Sequence, residues 1–263
     1  MHLVAASLLI ALAAPVAVPP DALVPAPSTA PAAPDPVAQL VGALARLPGT
    51  TPVRAEVRHE VRFSQGEEDT ASPAGSVSVT AAAGPDGLRA TWSPALLARA
   101  EAEERARLQN PDAYAPTRDA LSDLRALALA RALDAVPDLL RDLVDARVVS
   151  DAVEPFEGVP TRVLTLQVKP VVAARDRKYV KDVEATARIW LGADGVPVAE
   201  DRTILLKGRI FLIIGFEIEQ RDRIRFARSG DRLVEARRES ANRSSGAGER
   251  RDRSATTSVT LLQ

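Results

Sequence analysis

His2 and His59 are the only histidines in this chain of 263 residues, and it contains no cysteine. A zinc centre takes three or four protein ligands, usually imidazole or thiolate among them, so the chain is poorly supplied for one. A hydroxyl–imidazole–carboxylate triad would have to be built on His59, and thiol chemistry is excluded. Carboxylates remain. Glu217 and Glu219 alternate within a strand-like stretch. That puts both on one face about 6.5–7 Å apart, a separation useful for acid–base work on a glycosidic bond. Paired glutamates on strands are more often solvated surface, and a histidine on an apolar face is more often a core or cavity-wall residue. These residues therefore point to a non-enzymatic protein, with no catalytic residue, cofactor or metal expected.

Composition narrows the partners. The chain is 46% hydrophobic and 26% charged, which is enough apolar material for a real core. A formal net charge of -1 removes bulk attraction to nucleic acid or anionic membrane. Of the 34 basic residues only Lys169, Lys178, Lys181 and Lys207 are lysine, a bias that reads as genome composition rather than phosphate recognition. Aromatic residues make up 3%, too few for base-stacking platforms. No nucleic-acid partner is expected.

Residues 3–14, LVAASLLIALAA, have the length of a signal-peptide core and fall short of the ~20 residues of a spanning helix. Ala11-Leu12-Ala13 supplies a cleavage site, although no Lys or Arg precedes the run. The expectation is a signal peptide over residues 1–17 and export to the periplasm or beyond. No later run reaches spanning length, so no integral membrane segment is expected in the mature chain. Ten of the twenty prolines fall within the first 52 residues. Residues 18–35 accordingly read as a Pro/Ala-rich disordered arm, leaving 36–263 as one domain.

Within that domain PVAQLVGALARLP, residues 36–48, has helical spacing that Pro48-Gly49 ends. VRAEVRHEVRF, residues 53–63, alternates Val and Ala with Arg and Glu, the pattern of a half-buried antiparallel strand. GSVSVTAAA and GLRATWS follow as strands about a Gly84-Pro85-Asp86-Gly87 turn. Residues 94–147 then switch to helical periodicity: a helix from Pro94 to the residues before Pro111, a second with Leu121, Leu124, Ala128, Ala132 and Val136 on one stripe, and a third resuming after Pro137. From PTRVLTLQVKP onward the pattern is β again, with Asp194-Gly195 and RSGD as hairpin turns and NRSSGAGERRDR as a loop. The fold class is α+β: an antiparallel meander of nine or ten strands, curved as a half-open barrel, with the amphipathic helices of the 94–147 insertion on one face.

One stretch resists the alternating pattern. GRIFLIIGF, residues 208–216, is apolar at successive positions between charged flanks. It is one strand's length, and its neighbours carry charge and lack aromatic girdles, so a transmembrane barrel is rejected. Read as a strand, it puts Ile210, Leu212, Ile214 and Phe216 on one face, facing either ordinary core or a cavity. With Leu164, Leu166 and Trp190 on other strands, these are the ligand-binding candidates.

The order of elements resembles the lipoprotein-carrier (LolA/LolB-like) family: export signal, short helix, the long strand VRAEVRHEVRF, a helical insertion, then strands around WLGADGVPV. That resemblance implies a half-open barrel whose apolar concave face is plugged by helices and accepts acyl chains. It carries over no catalytic or binding residue, and the missing cysteine excludes a lipidated receptor. The leading expectation is an exported protein that binds a lipid, acyl chain or other apolar moiety. The alternative is a structural or interaction module of the cell envelope with a filled core. In that case the 14 basic and 9 acidic residues of 201–263 would face an anionic envelope protein.

Overall fold

In the computed structural model the structure describes residues 35–65, 74–170, 172–210 and 214–262. The residues read as a signal peptide (1–17), those read as an arm up to residue 34, and Leu212 lie outside them. Ten strands form one antiparallel sheet: β1 Val53–Gln65, β2 Gly75–Gly84, β3 Gly87–Thr91, β4 Arg147–Phe156, β5 Val159–Gln167, β6 Val180–Leu191, β7 Pro197–Ile210, β8 Ile214–Ser229, β9 Arg232–Gly246 and β10 Glu249–Leu261. Their order is β3-β2-β1-β10-β9-β8-β7-β6-β5-β4. Every neighbour but one is a sequence neighbour, and the exception, β1 with β10, joins the two ends of the domain. The edges are therefore β3 and β4. These two strands are consecutive in sequence, so the chain must cross from one edge to the other between them.

That crossing carries the helices α2 Pro94–Gln109, α3 Pro116–Asp123, α4 Ala126–Leu133 and α5 Val136–Leu143, while α1 Pro36–Leu44 precedes β1. Local signals set their starts. Asp35 accepts from the Val37 N–H and Ser93 from the Leu96 N–H, each followed by proline at the first helical position. Two apolar clusters join helices to sheet. One combines Leu40 and Leu44 of α1 and Leu139 and Leu143 of α5 with Leu164, Leu166 and Ile189. The other sets Leu129 and Leu133 of α4 against Val53, Val57, Val61, Val77 and Val79. Cross-strand register places all these strand residues on one face, termed the inner face. At Gly75 the Pro116 carbonyl of α3 occupies the space a Cβ would need, so β2 meets the helix there by close backbone approach.

Four expectations change. GRIFLIIGF is no single strand: β7 ends at Ile210, β8 begins at Ile214, and these two residues pair across a hairpin. An apolar run with no Gly-Pro or Asn-Gly signal gave no reason to place a reversal inside it. The helix read through Leu121 to Val136 is two, because Leu124 leaves helical geometry (ψ 54) and α4 restarts at Ala126. Residues 147–156, unread in the sequence, form the edge strand β4, whose residues are mainly exposed and so show little apolar alternation. The loop through NRSSGAGERRDR shrinks to Ala247-Gly248, both at positive φ, and its flanks continue β9 and β10. None of the described helices is long and apolar enough to cross a membrane.

Candidate functional site

The sequence-derived site residues separate into three places. Leu164 and Leu166, each 0% exposed, sit in the first core beneath α1 and α5. Trp190 lies on the outer face, its ring 5.4 Å from that of Phe156 and beside Val163 and Ala199. Ile210, Ile214 and Phe216 occupy inner-face register positions at the far end of the β7–β8 hairpin. Glu217 and Glu219 point outward, beside Lys207 (3.6 Å) and Arg221 (2.5 Å) respectively.

The inner face of that hairpin changes character along its length. Its cross-strand rows run Glu200–Ile224, Arg202–Asp222, Ile204–Gln220, Leu206–Ile218, Gly208–Phe216 and Ile210–Ile214. The first rows are charged and the last are apolar. Leu206, Phe216 and Ile218 are half-buried yet belong to neither helix–sheet core. Phe216 stands between two glycines, Gly208 on β7 and Gly246 on β9. A side chain at Gly208 would collide with the ring, so glycine there allows the aromatic face to lie flat on the sheet. A cavity of about 650 Å³ between the end of α5, Lys169-Pro170 and residues 172–183 reaches Val183, the cross-strand partner of Leu206. Its volume is of the size that accepts a small organic ligand.

The charged rows form a seam between the two apolar cores. Arg238 grips Glu235 with two hydrogen bonds (2.8 and 2.9 Å) and approaches Asp222 at 3.4 Å. Asp222 also accepts from Ser240 (2.6 Å) and Gln220 (2.9 Å). Arg202 bridges Glu200 (2.7 Å) and Asp142 of α5 (2.6 Å). Glu200 is 1% exposed, and burial pushes its carboxyl above the usual range in spite of the Arg202 charge. The seam encloses cavities of about 260 and 120 Å³ that share Arg131, Gln220, Asp222, Glu235 and Arg238.

At the β1 end of the seam His59 is 5% exposed, with Nδ1 2.9 Å from Thr257 Oγ1 and Nε2 3.0 Å from Asp123 Oδ2. Arg253 also binds Asp123, the last residue of α3. This cluster straps the helical crossing to β1 and β10. Burial raises the Asp123 carboxyl, but the His59 hydrogen bond and the Arg253 charge together hold it below its ordinary value. A depressed carboxylate adds stability above its unfolded pKa, and the gain is lost as pH falls through the folded value. Asp123→Asn is therefore expected to cost about 1.5 kcal/mol at pH 7. The deficit relative to wild type should shrink as the pH drops below about 4, measured by urea unfolding across pH. A deficit constant from pH 7 to 3 would contradict this role.

Sequence reasoning missed the seam. Its signal was charge at consecutive positions, as in Arg221-Asp222-Arg223 and Arg237-Arg238-Glu239. A strand with charge on both faces must place some of it under whatever covers the sheet. No group of three or more His, Asp and Glu residues suited to a metal ion occurs among the described residues. Compared with protein-family models, curated proteins and solved structures, the chain matches none.

Proposed function

We propose that the protein is a non-enzymatic exported carrier of the half-open-barrel type, in which the helices of the 94–147 crossing lie over the inner face and the uncovered end of the β7–β8 hairpin accepts an acyl chain or similar apolar moiety. The observation that carries this reading is the apolar strip of Leu206, Phe216 and Ile218, which is half-buried and outside both cores. Aliphatic side chains gain about 1.5–3 kcal/mol each on full burial, and a ligand supplies that burial. From Ile204 to Ile210 the strand positions span about 20 Å, long enough to run beside an extended acyl chain. The adjoining cavity provides the volume for the chain to leave the sheet surface. The location of Leu164 and Leu166 in a filled core favours a second reading, an envelope interaction module without a small ligand.

Titration of the full chain with a fluorescent fatty acid separates the two. Saturable binding is expected, weakened about 10- to 100-fold by Ile218→Glu, because a carboxylate would interrupt the apolar strip. Ile218 is outside both cores, so the variant should keep the wild-type unfolding midpoint. Absence of saturable binding by the wild-type protein would overturn the carrier reading in favour of the interaction module.

A further inference from the structure

One arginine of the charged seam has only long ion pairs. Asp123 is bound by Arg253, Asp138 by Arg141 (2.8 Å), Asp142 and Glu200 by Arg202, and Asp222 and Glu235 by Arg238. These six acids are thus held by four arginines, with Arg202 and Arg238 each serving two. Arg131, on α4, is different. Its nearest acids are Glu235 at 3.7 Å and Asp138 at 3.9 Å, both already held by another arginine at 2.8 Å. Its Nε is buried and makes no hydrogen bond, although such a donor left unmet costs about 1–3 kcal/mol. Arg131 also lines both seam cavities, and the smaller of them is bounded by Ile204 and Gln220, the row at which the hairpin face turns from charged to apolar.

We propose that Arg131 receives the anionic head of a single-chain amphiphile, a carboxylate or a phosphate, whose apolar chain runs outward from Ile204 along Leu206, Ile218 and Phe216. This rests on the carrier reading and specifies the chemical class of its ligand. A planar guanidinium with unspent donors matches an oxyanion in shape and charge. Gln220, whose amide donates to Asp222 at 2.9 Å, borders the same cavity. The smaller cavity is lined by five acids and four arginines, Arg131 among them, so the two signs nearly balance, and burial pushes the Glu200 carboxyl above its usual range. The polarity gradient fixes the direction of the chain, since a head at the apolar end would lose its solvation with no donor to replace it.

The test uses three probes that share one saturated chain, a fatty acid, an alkyl phosphate and a fatty alcohol, each titrated against the full chain below its micellar concentration. Both anionic probes are expected to bind at least tenfold more tightly than the alcohol. Arg131→Gln should abolish that difference while leaving alcohol affinity unchanged, and Arg131→Lys should retain part of it. The order of the acid and the phosphate identifies which oxyanion the cavity prefers. Equal affinity for all three probes, or a preference that survives Arg131→Gln, would overturn the assignment of the head while the carrier reading stands. Failure of all three to bind would overturn both. The side chain of Arg131 is 37% exposed, so its replacement leaves both cores intact. Unchanged urea midpoints would confirm that the binding readout is not a folding defect.

Discussion

Replacing Arg238 by leucine is expected to destabilise the fold by about 3–5 kcal/mol, the cost of leaving buried carboxylates without their counter-charge. Arg238 holds Glu235 through two hydrogen bonds and faces Asp222, and these acids are 4% and 5% exposed. Neither can turn to water, since Asp222 is fixed by Ser240 and Gln220 and Glu235 lies beneath α4 near Arg131. The difference between Arg238→Leu and wild type is read from the urea-unfolding midpoints at pH 7. Arg237→Leu is the internal control. It projects from the other side of β9 and pairs with Glu239 while 55% exposed, so its loss should change stability by less than about 0.5 kcal/mol. Should Arg238→Leu lose less than about 1 kcal/mol, the seam would have to be hydrated rather than buried.

The seam also explains what the sequence disclosed and what it withheld. Strand β1 was legible because its two faces differ: Val53, Ala55, Val57 and Val61 face the helices, and Arg54, Glu56 and Arg58 face solvent. The hairpin at Asp194-Gly195 was legible because Gly195 needs the positive φ of 78 that the turn imposes. Strands β8 and β9 defeat the same logic. Their inner positions include Gln220, Asp222, Arg238 and Ser240, where Arg238 and Ser240 of β9 reach Asp222 of β8 across strands and Gln220 reaches it along β8. Pairing of that kind depends on register between distant segments, and hydropathy read along one strand does not contain it. The reversal within GRIFLIIGF was hidden for the opposite reason: the unbroken apolar run from Ile210 to Ile214 supports a strand in either register. His59 shows the intermediate case. Its place on the apolar face of β1 was plain, but Asp123 and Thr257, its partners 64 and 198 residues away, were not.

Leu164→Ala is expected to cost about 2–5 kcal/mol of stability while leaving the affinity for an apolar ligand unchanged. Leu164 is fully buried, opposite Ile189 on β6 and in one cluster with Leu40 and Leu44 of α1 and Leu139 and Leu143 of α5. Truncation opens a cavity bounded by two helices and the sheet, and close-packed surroundings collapse only partly into such a void. The effect belongs to folding because the residues that enclose Leu164 come from the protein itself. Leu206→Ala makes the opposite case. Leu206 is half-buried and outside both cores, so its truncation should lower stability by less than Leu164→Ala and weaken the fatty-acid titration instead. The pair of measurements, unfolding midpoint and ligand affinity, thus assigns each leucine to core or to site. If Leu164→Ala lost binding in parallel with stability, and Leu206→Ala lost neither, the ligand would have to enter beneath α1 and α5. The filled cluster there would then have to open, with the short α1 as the element that moves.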